Sequence, residues 1–207
     1  MKLQKTVDRW NLYESQIKTL SGRLDFERNH LEFLGYVIVL ESGKVHDKIK
    51  NSYVRNPETL YVLLAHYSLA KPIESAGRLT KFRNLPGGYA YEEAFTKRAV
   101  SPIAETFGDK TEMLIEAAKS LSGIKREYGD SSVEIPALPK IPIVYILWKG
   151  DEFPASATIL FDTSASHYLP TEDIAVLAEL TTARLRHSLE RIERTLGRTI
   201  ACYHSQR

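Results

Sequence analysis

Two β-branched and aromatic runs, Ile141 to Trp148 and Ala155 to Phe161, are separated only by Lys149-Gly150-Asp151-Glu152-Phe153-Pro154. A connection that short closes a hairpin and cannot hold a crossover helix, so the two runs must pair antiparallel. Beyond them the pattern changes to Ile174, Leu177, Leu185, Leu189, Ile192 and Leu196, with Arg184, Arg186, Glu190, Arg191 and Arg194 assigned to the solvent side. This predicts a long helix ending at Gly197. The fold class that follows is α+β: an antiparallel sheet built from hairpins, with flanking helices and long N- and C-terminal helices.

The N-terminal helix is read over residues 2 to about 29, from Leu3, Trp10, Ile17 and Leu24 at intervals of seven with Val7, Tyr13 and Leu20 between them. Such a stripe suits packing on the chain's own core, or a partner helix and hence a homodimer. Phe33 to Leu40, then Glu41-Ser42-Gly43-Lys44 before Val45, predicts a further hairpin. Asn56-Pro57-Glu58 reads as a helix start with Asn56 as cap, and Pro72 stops that helix after Lys71.

Lys81 to Gly88 is read as a loop into a helix carrying Tyr91, Phe95 and Arg98, which Pro102 kinks or restarts. Asp109 with Glu112 reads as a capping box ahead of the stripe Met113, Leu114, Ala117 and Leu121, which ends at Gly123. Val133 to Ile135 is a further strand, and Pro142 implies that the strand from Ile141 is an edge there or pairs only after it. The expected organisation is a helix over 1–30, one α+β domain over 31–197 and a tail over 198–207.

Length and charge narrow the function classes. A chain of 207 residues can build one sizeable core. Its 28 basic and 26 acidic residues are interspersed and leave a net charge of +2, so there is no electrostatic case for nucleic acid or an anionic membrane. The one cysteine, Cys202, excludes a disulfide framework, a thiolate metal cage and an iron–sulfur cluster held by this chain alone. The first residues lack the apolar core of a signal peptide and no run approaches the ~20 apolar residues of a membrane span, so the expected location is the cytoplasm.

The stretch from Asp162 to Asp173 concentrates hydroxyls, an imidazole and carboxylates between a strand and a helix. Thr171 suits a helix N-cap, Glu172 and Asp173 suit the positive end of the helix dipole, and Asp162 can close a turn. Ser164, Ser166, His167 and Tyr168 are left as ligand-binding candidates. His167 can act as a base, a metal ligand or an axial ligand to a tetrapyrrole metal, or simply as a hydrogen-bonded loop group. Asp162, His167 and Glu172 could meet at a divalent metal, although their spacing matches no recognised site.

No Gly-x-Ser-x-Gly elbow is present. Pro86-Gly87-Gly88, with Arg83 close by, is read as a tight turn or as an anion site at a helix start, and Tyr91 as core or as a cofactor platform. His66-Tyr67 is expected to face a packed interior.

Leu85-Pro86-Gly87-Gly88, Gly129-Asp130, Ala137-Leu138-Pro139-Lys140-Ile141-Pro142, Ile146-Leu147-Trp148, Asp151-Glu152-Phe153-Pro154, Leu160-Phe161-Asp162 and Ser166 through Asp173 occur in this order along the chain. Over residues 33–190 they resemble the bacterial and archaeal domain-of-unknown-function family numbered 3786. That resemblance implies no defined activity. Some members look like fusions to a cysteine-rich iron–sulfur module similar to those of corrinoid iron–sulfur proteins in anaerobes, which implies a role near corrinoid or iron–sulfur one-carbon metabolism. This chain lacks the cysteine module, so any cluster belongs to an iron–sulfur or corrinoid protein partner. It also lacks the Asp-x-His-x-x-Gly motif of base-off corrinoid domains.

The functional expectation is a noncatalytic, cofactor-associated accessory protein that presents the face from Phe153 to Asp173 to a tetrapyrrole, a metal centre or a partner. Two alternatives stand beside it. One is a small hydrolytic or metal-assisted enzyme using His167 with Asp162 and Glu172, and the other is a dimeric interaction protein built on the N-terminal helix.

Overall fold

The computed structural model describes residues 2–204, with side chains over 9–197; the side chains of Leu3, Val7 and Cys202, and residues 205–207, lie outside the described part. The hairpin that follows Ile141 lies inside a five-stranded sheet. β1 (His30–Phe33), β2 (Tyr36–Val39), β3 (Val45–Asp47) and β4 (Ser52–Tyr53) form an antiparallel meander in chain order. β5 (Leu79–Lys81), β6 (Ile124–Arg126), β7 (Ser131–Leu138), β8 (Ile141–Trp148) and β9 (Ser156–Asp162) form a second antiparallel sheet in the order β5-β9-β8-β7-β6.

The central strand β8 has the predicted bounds. Its consecutive residues Val144 and Tyr145, which point to opposite faces, are both buried, which requires cover on both faces of the sheet. Pro142 acts as its missing N–H dictates: pairing with β9 starts only at Ile143 opposite Phe161, and on the other side Pro142 faces Pro136 beside an irregularity in β7. The run from Phe33 to Leu40 is two strands rather than one. Leu34 and Gly35, at φ 49° and 73°, make a two-residue turn of the kind that matches strand twist, so Phe33 pairs with Tyr36.

Helix α1 (Lys2–Lys18) is shorter than its stripe suggested, because Gly22, Leu24 and Asp25 adopt positive φ and turn the chain. Trp10, Ile17, Leu20 and Leu24 are nonetheless buried within this chain, and the Trp10 ring lies 5.3 Å from that of Tyr61 on α2 (Glu58–Ser68). Pro57 rather than Asn56 takes the α2 cap position, no side-chain cap bond forms there, and the helix ends before the predicted Lys71. α3 (Gly88–Phe95) passes through a π-helical turn at Thr96–Val100 into α4 (Ser101–Phe107), whose first turn contains Pro102. Proline removes one N–H from this continuous ladder, and the chain meets it directly after the π-helical turn, where the regular helical bonding is already interrupted.

α5 (Glu112–Lys119) is capped by Thr111, not Asp109, and again without a side-chain bond. A single turn, α6 (Ala165–Tyr168), precedes α7 (Thr171–His204), which continues through Gly197 rather than ending there. α4, α5 and α7 pack against the five-stranded sheet, and α1 packs on α2. The Tyr145 hydroxyl reaches across from β8 and donates to the Ala178 carbonyl of α7 at 3.2 Å. No helix among the described residues is long and apolar enough to cross a membrane.

Candidate functional site

The loop after β9 is built from its carboxylate outward. Asp162 is 5% exposed and accepts from Ser75 Oγ at 2.8 Å, Ala76 N–H at 3.1 Å, Ser164 N–H at 2.8 Å and Ser164 Oγ. Burial alone would raise its pKa, but the Ser164 donors, with Ser75 and Ala76, outweigh it and hold the carboxyl at about 2. Asp162 and Ser164 are thereby occupied in closing the turn. Tyr168 is buried, and its hydroxyl both donates to the Ile73 carbonyl at 2.7 Å and accepts the Ile73 N–H at 3.0 Å. Together these residues clamp the segment that leads from α2 to β5.

Ser166 and His167 are exposed on α6. His167 Nε2 donates to the Lys71 carbonyl at 2.9 Å, and its ring stands edge-on to Tyr168. This bond fixes the tautomer, so Nδ1 carries the lone pair. Thr171 does not serve as a side-chain N-cap; its hydroxyl donates instead to the Pro86 carbonyl at 2.7 Å. Glu172 is exposed in the first turn of α7, and Asp173 Oδ2 lies 2.5 Å from His66 Nδ1. His66 therefore faces outward, contrary to expectation, while Tyr67 beside it is fully buried.

Asp162, His167 and Glu172 do not form a metal-holding set. Among the described residues no group of three or more His, Cys, Asp or Glu side chains could do so.

The second predicted cluster is adjacent to the first through the Thr171–Pro86 bond. Gly87 takes φ +75° to start α3, and a Cβ on Gly88 would sit 2.1 Å from the Phe82 carbonyl oxygen, so both glycines are required by backbone geometry. The Arg83 guanidinium lies over the Tyr89 ring at 5.3 Å and beside Glu92 at 3.5 Å. Tyr91 is exposed rather than part of the core.

With the geometry in place, the comparison with known families is informative. Residues 13–184 match the model of a family described as "Domain of unknown function (DUF3786)". The chain belongs to this family. A search of curated proteins and one of solved structures find no match. The DUF3786 match begins within α1 and takes in both sheets, the His167 loop and α7 as far as Arg184.

Arg184 is what sequence reasoning most clearly misplaced in this DUF3786 chain. Read as solvent-facing, it is 1% exposed. Its Nη1 and Nη2 donate to the two Asp47 oxygens at 2.7 and 2.8 Å, its Nε donates to the Leu34 carbonyl at 2.8 Å, and the Tyr36 ring lies 4.1 Å away. Burial would raise the Asp47 pKa, but Arg184 and the Lys50 and Ile49 N–H groups hold it below its ordinary value. Its spacing carried the signal: buried Leu177, Thr181, Arg184 and Ser188 follow one helical stripe.

Two surface clefts complete the description. One, of about 630 Å³, lies at the tip of the β8–β9 hairpin against Trp148, Phe153 and Pro154. The other, of about 560 Å³, separates the turn after β3 from the outer part of α7.

Proposed function

We propose that this DUF3786 chain is a noncatalytic, cytoplasmic accessory protein of an anaerobe, and that it supplies an axial histidine to the metal of a tetrapyrrole or corrinoid carried by an iron–sulfur or corrinoid protein partner. The observation that carries this reading is His167, an exposed imidazole whose Nε2–H is tied to the Lys71 carbonyl and whose Nδ1 holds the lone pair. A backbone carbonyl on the far nitrogen is the usual support of a metal-ligating histidine, because it fixes the ring and raises its basicity.

The lack of companions selects the kind of metal. A bare divalent ion needs about three protein ligands or more, and Asp162 is already saturated by donors from Ser75, Ala76 and Ser164. A macrocycle brings four equatorial nitrogens of its own and asks the protein for one axial donor. Ser166, exposed beside His167 on α6, is available to the edge of such a ligand.

A second surface suits the partner. Phe153 is 79% exposed at the hairpin tip, with Trp148 beside it and Lys149, Asp151 and Glu152 around them, the aromatic centre and charged rim of a protein contact. The length of β9 puts this tip about 20 Å from the His167 loop, so the face from Phe153 to Asp173 divides into a docking end and a ligand end. Protein purified without oxygen and titrated with haem or cobalamin is expected to shift the visible bands of the cofactor, and His167→Ala to abolish the shift. A wild-type chain that changes neither spectrum would remove the axial-ligand reading.

A further inference from the structure

The cleft between the turn after β3 and α7 is lined by Lys50 from the turn and by His187, Glu190, Arg191 and Arg194 from successive turns of the helix. Three permanent cations thus meet one carboxylate in about 560 Å³, room for a small ligand. Glu190 is directed to its own helix neighbour, with an oxygen 3.8 Å from Arg194. Among the described residues the Lys50 ammonium and the Arg191 guanidinium make no ion pair or hydrogen bond, the bonds at these two residues being to their backbone. The imidazole at the inner end is also incomplete: His187 Nδ1 is buried without a hydrogen-bond partner.

Two unpaired cations, the Lys50 ammonium and the Arg191 guanidinium, lie in one concavity beside Arg194 and repel one another. That repulsion is relieved by a guest that is an anion with several oxygens. From this geometry we infer that the cleft is a binding site for a phosphate-bearing small molecule, with Arg191 and Arg194 as forked donors and Lys50 as a point charge. Phosphate is favoured over a single carboxylate because its oxygens can meet two guanidinium groups and an ammonium at once.

The walls are rigid where rigidity matters. Asp47 Oδ1 accepts the N–H groups of Ile49 and Lys50 at 2.9 and 3.0 Å, while the same carboxylate grips Arg184, one helical turn before His187. The turn and the helix therefore meet at a fixed angle before any ligand arrives, which lowers the ordering cost of binding. Burial, with the Lys50 and Arg184 charges, lowers the His187 pKa against the opposing effect of Glu190 and Asp47. A bound dianion opposes that shift and supplies a readout at the site itself.

Calorimetric titration of the full chain with inorganic pyrophosphate, and with acetate as a carboxylate control, tests this. Pyrophosphate is expected to bind and acetate not to, with affinity falling about tenfold or more in Arg191→Ala and in Lys50→Ala, the loss of one charge-assisted contact each. Both side chains are exposed, so the variants should remain folded, which circular dichroism checks. Glu190→Gln, which removes the carboxylate of the cleft, should bind more tightly, and the His187 ring followed by NMR should titrate at higher pH with pyrophosphate present. No heat with pyrophosphate, equal binding of acetate, affinity unchanged by both cation variants, or an unmoved His187 titration would each overturn the assignment.

Discussion

Arg184 and Asp47 place two full charges where water does not reach, and the arrangement is tolerated because every nitrogen of the guanidinium has an acceptor. Removing one partner strands the other. Arg184→Met is therefore expected to cost about 3–5 kcal/mol in chemical denaturation, whereas the double variant Arg184→Met/Asp47→Leu should recover much of that loss by removing both charges. Equal losses in single and double variants would mean that the pair is not the source. Recovery should be incomplete, since Asp47 also accepts the Ile49 and Lys50 N–H groups. By residue type, Arg184 belongs on the solvent side of the helix. Which of several arginines on a helix finds a buried acid is decided by a contact with a residue far away in the chain, and local periodicity registers that only as an unexpected arginine in the apolar stripe. At Asp162 the turn closure was legible locally, because its donor Ser164 lies two residues on, whereas the bonds from Ser75 and Ala76 come from a distant segment and were not.

Among the elements, those dominated by their own side-chain pattern were legible. β8 kept its predicted bounds and Pro142 its predicted effect on pairing. Misplaced ends arose where backbone conformation or tertiary packing decided the outcome: Leu34-Gly35 cutting a continuous β-branched run, Leu24 and Asp25 turning at positive φ, and Gly197 carried inside a helix. Gly43 shows how such a backbone choice serves packing. It sits at φ +67° in the β2–β3 connection, and a Cβ there would lie 2.3 Å from Trp10 Cδ2, while its carbonyl accepts the Tyr61 hydroxyl. Gly43→Ala should thus both strain the backbone and push α1 off the meander, lowering stability by about 2 kcal/mol or more as judged by thermal unfolding. A neutral effect would mean that α1 is loosely held. Of the stripe that could mark a dimer, Trp10, Ile17 and Leu20 are buried inside one chain, while the side chains of Leu3 and Val7 lie outside the described residues.

At the level of the whole molecule, stability should depend on pH in two steps. Asp162 titrates at about 2 in the fold against an ordinary 3.8, so its contribution is complete above that ordinary value and is lost as pH falls from 3.8 towards 2, by about 2 kcal/mol in all. Asp47, also depressed, adds to the same acid step. His187 is depressed from 6.5, which means that the unfolded chain takes up its proton first and stability begins to decline below about pH 6.5. Denaturation midpoints measured across this range should show both declines, and His187→Gln should remove the upper one alone; a profile flat from pH 7 down to 5 in the parent chain would contradict the burial of that ring. The clasp between Asp47 and Arg184 also has a consequence in time. Its halves are 137 residues apart, so during synthesis the meander leaves the ribosome with a counter-ion still to be translated. Until α7 emerges, Asp47 has water in place of a guanidinium, and the turn it organises waits on that helix; the two surfaces of the cleft are therefore joined late rather than grown together.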